Sequence, residues 1–228
     1  MSVKPPRKNP KPRTTIFIVD DHPMMREGLA QLIAQEADLA VCGEAESAPE
    51  ALQKISALKP DLAILDISLK SGNGLELIKD LQAQHPGIAV LVISMHDESL
   101  YAERVLRAGG RGYIMKQEGG KKIMEGIRQV LAGKISVSEK VSARILSALS
   151  GRTSGEGASP IERLSDREFE VFQLIGQGRA TRQIAQDLHL SVKTVEVHRL
   201  HIKAKLNLPD STALVRHAVR WVETQNAG

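Results

Sequence analysis

Five polar residues stand where apolar runs stop. Asp20 and Asp21 follow "TIFIV" (15–19), Asp66 closes "DLAILD" (61–66), Ser94 closes "IAVLVIS" (88–94) and Lys116 follows "GYIM" (112–115). Each has an ordinary reading by itself: an aspartate capping the next helix, a turn serine, a solvated lysine. A charge at the end of a buried strand is nevertheless expensive unless it is paired. If the runs lie side by side, three carboxylates, one hydroxyl and one ammonium share one edge. Carboxylates that close repel one another unless a cation neutralises them. A hard divalent ion with oxygen ligands, Mg²⁺ retaining several waters, is the natural partner.

The elements that must position these groups follow from periodicity. The four runs above and "LAVCG" (39–43) are continuously apolar, and between them lie helix-period patterns. These include Met25, Leu29, Leu32 and Ile33; Leu75, Leu77, Ile78 and Leu81; and Ile123, Ile127, Val130 and Leu131. Five alternations of strand and helix, with strands apolar on both faces, predict a doubly wound α/β domain with a parallel five-stranded sheet. In such sheets function collects at the carboxyl ends of the strands, beside the switch point in strand order.

The stretches "VDDHP", "DLAILDISL", "VISMHD" and "GYIMK" resemble the receiver domains of two-component response regulators, a flavodoxin-like fold. The resemblance implies that Asp66 is the phosphoacceptor and that Asp20 and Asp21 hold Mg²⁺ with it. It implies too that Ser94 bonds the phosphoryl oxygen, Lys116 pairs with its charge and Tyr113 is a switch aromatic. Two departures stand out. Lys70 and Ser71 occupy a turn where many receivers carry Pro-Gly, and Ser94 stands where Thr is common.

A different composition begins after residue 135. "SEKVSARILSAL" (138–149) predicts a helix, and "SGRTSGEGASP" (150–160) is the composition of a flexible linker. Beyond it four helices are expected. "LSDREFEVFQLIGQG" opens on a capping box, Ser165 to Glu168. "TRQIAQDLHL" is short and capped by Thr181, and a tight turn through His189 leads to "SVKTVEVHRLHIKAKL" from about Ser191. "DSTALVRHAVRWV" comes last, capped by Asp210 or Ser211. A short helix, a tight turn and a longer basic helix make a helix-turn-helix.

At about 100° per residue, Val195, Ile202 and Leu206 fall on the side facing Ile184, Ala185 and Leu188. Lys193, Glu196, Val197, Leu200 and Ala204 fall opposite. Exposed aliphatics there can touch thymine methyls, while Lys193, Thr194, His198, Arg199, Lys203 and Lys205 can reach phosphates. The whole stretch from Leu164 to Leu206 resembles the LuxR-type helix-turn-helix that ends NarL/FixJ regulators. Glu196 departs from the basic residue common there, and Lys203–Ala204 replace a frequent Leu-Arg pair. The resemblance further implies an unphosphorylated form in which the face around Val197 and Leu200 is covered.

Charge and composition bound the remaining possibilities. The net charge is +4, with five basic and no acidic residues in 1–13. Residues 14–135 carry 13 basic against 17 acidic, and 160–228 carry 10 against 8. Residues 1–13 therefore read as a disordered basic tail, 14–135 as the receiver, 136–160 as a linker holding a helix, and 161–228 as the DNA-binding domain. The single cysteine, Cys42, excludes an internal disulfide and is expected to be a buried small hydrophobe. With no apolar segment long enough for a leader or a span, the expected location is cytoplasmic.

These features predict a transcription factor of a two-component system. A sensor histidine kinase or a small phosphodonor phosphorylates it, and it binds operator DNA as a homodimer without a membrane partner. An aspartyl-phosphate phosphatase or hydrolase is the alternative enzyme; it needs a second acid two residues after Asp66, where Ser68 stands. An interaction adaptor that binds no DNA is the other alternative.

Overall fold

The structure is a computed structural model and describes residues 13–69, 73–149, 160–188 and 190–226. The tail, Lys70, Ser71, the glycine- and serine-rich linker and His189 lie outside the described residues.

By contacts the chain divides into two units, 1–95 with 105–137, and 96–104 with 138–228. In the first unit, strands β1 (Thr14–Val19), β2 (Leu39–Ala45), β3 (Leu62–Leu65), β4 (Ala89–Ser94) and β5 (Gly112–Met115) form one sheet in the order β2-β1-β3-β4-β5. All four pairings are parallel. Parallel strands need crossovers, supplied here by α1 (Pro23–Ala34), α2 (Ala48–Leu58), α3 (Gly74–Gln84) and α4 (Glu98–Arg107), while α5 (Gly119–Leu131) follows β5.

Ile16, Ile18, Ile64, Leu91, Ile93 and Ile114 point to one face and are buried with Leu29 and Ile33 of α1 and Ile123, Ile127 and Val130 of α5. The alternate residues, Phe17, Val19, Ala63, Leu65, Val90 and Val92, are equally inaccessible. Burial on both faces is why these strands read as continuous apolar runs. The order of strands reverses between β1 and β3, so the switch point lies where Asp20 and Asp66 emerge.

One expectation fails at β2. Its pairing with β1 steps from Ile16–Val41 to Phe17–Gly43, leaving Cys42 as the extra residue of a bulge. Cys42 is half-buried rather than enclosed, like every residue from Ala40 to Glu44 of this edge strand, and burial still pushes its thiol pKa up. Gly43 meets the Phe17 ring so closely that a Cβ would stand 2.6 Å from it.

The second unit holds α6 (Glu139–Leu149), α7 (Asp166–Gly176), α8 (Thr181–Asp187), α9 (Val192–Lys205) and α10 (Ser211–Asn226). Its core is built from Phe169, Phe172, Ile175, Ile184, Val195, Ile202, Leu214 and Ala218. Trp221 packs on both phenylalanines, with ring centroids 5.5 and 5.6 Å apart. Residues 96–104, which the sequence assigns to the α/β domain, cluster here. Tyr101 donates to Gln173 Oε1 at 2.7 Å, and Arg104 pairs with Asp166 at 2.9 Å while stacking 4.6 Å over the Phe169 ring. The 138–149 helix is likewise built in: Arg144 donates to the Ser99 carbonyl at 2.6 Å, and Ser138 N–H to Glu98 at 2.6 Å.

Among the described residues no helix is long and apolar enough to cross a membrane.

Candidate functional site

Strand register assembles the first site. Val19 pairs with Leu65 across β1 and β3, and the Asp66 amide donates to the Val19 carbonyl at 2.8 Å. Asp20 and Asp66, each one residue further on, consequently emerge side by side. Asp20, Asp21 and Asp66 are all nearly inaccessible. Lys116, the residue after β5, places Nζ 2.7 Å from Asp20 Oδ2 and 2.7 Å from Asp66 Oδ2. Burial works against the charge of Lys116, but hydrogen bonds to Asp20 and Asp66 outweigh it and hold the ammonium above the usual lysine range.

The loops are fixed as well. Arg26 donates to the Asp20 carbonyl at 2.6 Å, and the Ser68 amide to Asp66 Oδ1 at 3.2 Å. Gly74 opens α3 so close to the segment after Asp66 that a Cβ would lie 2.6 Å from Ile67 Cα and 2.7 Å from the Asp66 carbonyl.

Three buried carboxylates against one ammonium leave excess negative charge. Asp21 Oδ1 is buried with no hydrogen-bond partner. An all-oxygen donor set with an unsatisfied carboxylate oxygen fits a hard divalent ion. Asp20, Asp21, His22 and Asp66 can each offer one ligand atom, all within 4.8 Å of one another. His22 enters the sequence pattern only within "VDDHP", where its adjacency to the aspartate pair is the available signal.

Ser94 ends β4 opposite Met115 of β5 and is 1% exposed. Tyr113 sits opposite Val92 and is already buried, with its amide donating to the Ser136 carbonyl at 2.8 Å.

The second candidate site is α9. Ser191 caps it by accepting from the Thr194 amide at 3.0 Å, and its hydroxyl lies 2.7 Å from that of Thr194. Val195 and Ile202 are buried as the periodicity requires, while Lys193, Glu196, Val197, Leu200 and Ala204 are exposed. Val197 and Leu200 are 44% and 60% exposed.

One cap expectation changes, one alternative resolves, and one lysine of α9 has a partner within the unit. Ala180, not Thr181, precedes α8, and the Gln183 side chain accepts from its amide at 2.9 Å. Asp210 rather than Ser211 caps α10, accepting from the Ala213 amide at 2.7 Å. Lys205 is engaged inside the unit, 2.6 Å from Glu168 Oε2. Glu168 also closes the capping box with Ser165. Burial alone would raise the pKa of Glu168, but Lys205 and Ser165 hold it below the usual carboxylate range.

The other named residues differ in availability. Lys193 is exposed, and Thr194, His198, Arg199 and Lys203 are partly buried. Burial and the nearby Arg167 and His201 charges push the His198 pKa down against the pull of Glu168, favouring a neutral ring. Burial lowers the Arg199 pKa too.

A parallel sheet with an acidic switch-point pocket and a buried lysine defines a receiver-type domain, and α8 and α9 define a helix-turn-helix. The family model of the response regulator receiver domain matches residues 16–128, and that of bacterial regulatory proteins, luxR family, matches 162–218. The oxygen regulatory protein NreC of Staphylococcus epidermidis is 33% identical over 210 residues, covering 90% of this chain and 96% of its own. The transcriptional regulatory protein DegU of Brevibacillus brevis is 31% identical over 225 residues, covering 92% and 95%. RcsB from Salmonella enterica serovar Typhimurium, solved bound to promoter P1flhDC with the phosphomimetic BeF3-, matches with TM-score 0.69 at 25% identity, over 90% of this chain and 98% of that one. The chain belongs to the response regulators that join a receiver domain to a luxR-family regulatory domain.

Proposed function

We propose that this chain is a transcriptional regulator switched by phosphorylation of Asp66 and acting on operator DNA through α9. The observation that carries the reading is Lys116 bridging Asp20 and Asp66 at 2.7 Å each beside the unsatisfied Asp21 oxygen. Asp66 is thereby oriented beside a cation, as a carboxylate nucleophile must be.

Mg²⁺ held by Asp20, Asp21 and Asp66 would neutralise the anionic donor and the developing phosphoryl charge. An Asp66 oxygen forms the new P–O bond while the bond from phosphorus to the phosphohistidine nitrogen of a sensor kinase, or to the oxygen of a small acyl phosphate, breaks. The leaving group keeps the electron pair. Lys116 then pairs with the added charge, and the Ser94 hydroxyl bonds a phosphoryl oxygen.

In the second unit the exposed Val197 and Leu200 would read the major groove, with Lys193, Thr194, Arg199 and Lys203 toward phosphates. Two copies would set two recognition helices on half-sites about one helical turn apart. Ser68 at the second position after Asp66 favours this self-modifying role over a phosphatase that turns over an external substrate.

Intact-mass spectrometry after incubation with Mg²⁺ and acetyl phosphate tests the reading. One phosphoryl group is expected, absent in Asp66→Ala and absent when the metal is chelated. Undiminished labelling of Asp66→Ala would overturn the assignment. Titration of operator DNA before and after phosphorylation tests the second half; no DNA binding by either form would favour an adaptor.

A further inference from the structure

Among the charged residues of α9, Glu196 alone is left without a role. It is the one acid of the helix, against Lys193, Arg199, Lys203 and Lys205, and it stands exposed on the outward face with Lys193, Val197 and Leu200. The three acids of α7 are all engaged: Asp166 by Arg104, Glu168 by Lys205 and Glu170 by Arg167. The Glu196 carboxylate has no ion pair or side-chain hydrogen bond among the described residues. Arg199, one turn further on, attracts it electrostatically without closing a contact. An unengaged acid therefore sits on the face that carries the exposed Lys193 and the apolar Val197 and Leu200.

A carboxylate facing a polyanion is repelled unless it meets a hydrogen-bond donor. The phosphate oxygens are acceptors and offer none. The base edges of the major groove offer two, the N4 amino group of cytosine and the N6 amino group of adenine. Guanine presents N7 and O6 and thymine O4, all acceptors that repel an ionised oxygen. Adenine sets the N7 acceptor beside its donor, a pair that an amide matches and a carboxylate does not. Cytosine is the base that remains. Glu196 and Leu200 lie four residues apart, about 6 Å along the helix axis at about 1.5 Å per residue, which spans about two base-pair steps of about 3.4 Å.

We propose that Glu196 is a specificity-determining residue of α9, accepting a hydrogen bond from the N4 amino group of one cytosine in each half-site, within about two base pairs of the thymine that Leu200 meets. Elsewhere on DNA its charge works against binding, so it raises the ratio of specific to non-specific affinity by repulsion as well as by contact. The inference rests on the reading of α9 as the DNA-reading helix and adds a base to that reading.

Selection from a random duplex pool by the full-length chain, after incubation with Mg²⁺ and acetyl phosphate, tests it together with titration of the selected duplex. The native chain should fix a cytosine at one position of each half-site. Glu196→Ala should select with no base preference there, and Glu196→Gln should move the preference to adenine. Changing that cytosine to thymine should weaken native binding about ten-fold and Glu196→Ala binding less than about two-fold. On random duplex both variants should bind about two-fold or more tighter than the native chain, the opposite of Lys193→Ala. If the native chain selected no sequence, the reading of α9 would fall and the assignment with it. If it selected a sequence and the Glu196 variants kept every base preference, whether or not they gained affinity overall, the Glu196 assignment alone would fall. Loss in Glu196→Ala of a preference for any base other than cytosine would overturn it too.

Discussion

The two candidate sites solve opposite electrostatic problems. In the first unit Asp20, Asp21, Asp66 and Lys116 are withdrawn from water and hold one another at hydrogen-bond distances. On α9 the residues of the outward face stand in solvent, with the apolar Val197 and Leu200 among them. A pocket that must stabilise developing charge gains from low dielectric and fixed partners. A surface that must fit a groove has to leave its side chains unengaged until the partner arrives. The pocket should therefore respond to substitution in stability and chemistry together, and the helix face in binding alone.

The strongest way to break that contrast is to remove the cation of the pocket. Lys116→Met leaves three buried carboxylates without their ammonium, and loss of one member of a buried ion pair costs about 3 kcal/mol or more. We expect a large fall in melting temperature in metal-free buffer, with a greater recovery on adding Mg²⁺ than the native chain shows. Thermal unfolding with and without Mg²⁺ measures both. Equal stability of the two chains would mean the carboxylates are not held as the geometry has them.

A smaller loss is expected at Gly74, where a methyl would meet the Ile67 backbone at 2.6 Å and the Asp66 carbonyl at 2.7 Å. Backbone cannot step aside as a flexible side chain can, so Gly74→Ala should cost about 1–3 kcal/mol. Because the displaced segment carries Asp66, phosphorylation by acetyl phosphate should slow as well. A stability loss with an unchanged labelling rate would show that the segment absorbs the strain away from the carboxylate.

The pocket was legible in the sequence because it depends on strand ends. An error of one residue in a strand boundary still leaves Asp20, Asp66 and Lys116 at the same edge, and only the order of the strands was needed to bring them together. Cys42 is not enclosed because β2 lies at the edge of the sheet, where Ala40 to Glu44 are all half-buried, and an apolar run does not say which strand takes the edge. The Lys205–Glu168 pair was not legible for a different reason. The place of Lys205 on α9 is fixed by periodicity, but its partner Glu168 belongs to α7, and the crossing of two helices is not written in either segment. The orientation of His22 and the placement of Tyr101 and Arg104 in the second unit depend on tertiary packing in the same way.

The Lys205–Glu168 pair sharpens the contrast from the other side, since it is a buried-pocket device placed on the recognition helix. Lys205→Ala should cost about 1–2 kcal/mol by leaving Glu168 buried without its partner. The pH dependence follows from the lowered Glu168 pKa. A carboxylate depressed by folding contributes stability that is present above its ordinary value of 4.5 and is lost as pH falls through the folded value. Glu168→Gln should accordingly flatten the acid limb of the stability curve below about pH 4.5. A curve parallel to that of the native chain would place the acid sensitivity elsewhere.

The smallest stability effects and the most specific binding effects belong on the outward face of α9. Val197→Ala and Leu200→Ala remove exposed groups, so each should move stability by no more than about 0.5 kcal/mol. Their loss should instead alter which base pairs are preferred, because apolar contact with thymine methyls carries sequence information while phosphate contacts do not. Lys193→Ala should do the converse. It should weaken binding to operator and random DNA alike and reduce the salt slope by about one unit, one counterion fewer being released. Lys205→Ala should change the salt slope less than Lys193→Ala, because its ammonium is already engaged by Glu168. Salt titrations of the four variants on operator and random duplexes separate these effects. If Leu200→Ala and Lys193→Ala lost affinity equally on both duplexes, α9 would contact only the backbone, and sequence would be read by another part of the second unit. If Lys205→Ala matched Lys193→Ala in slope, the Glu168 pair must open on DNA, and the recognition helix would then borrow a charge that the free protein uses to hold α7.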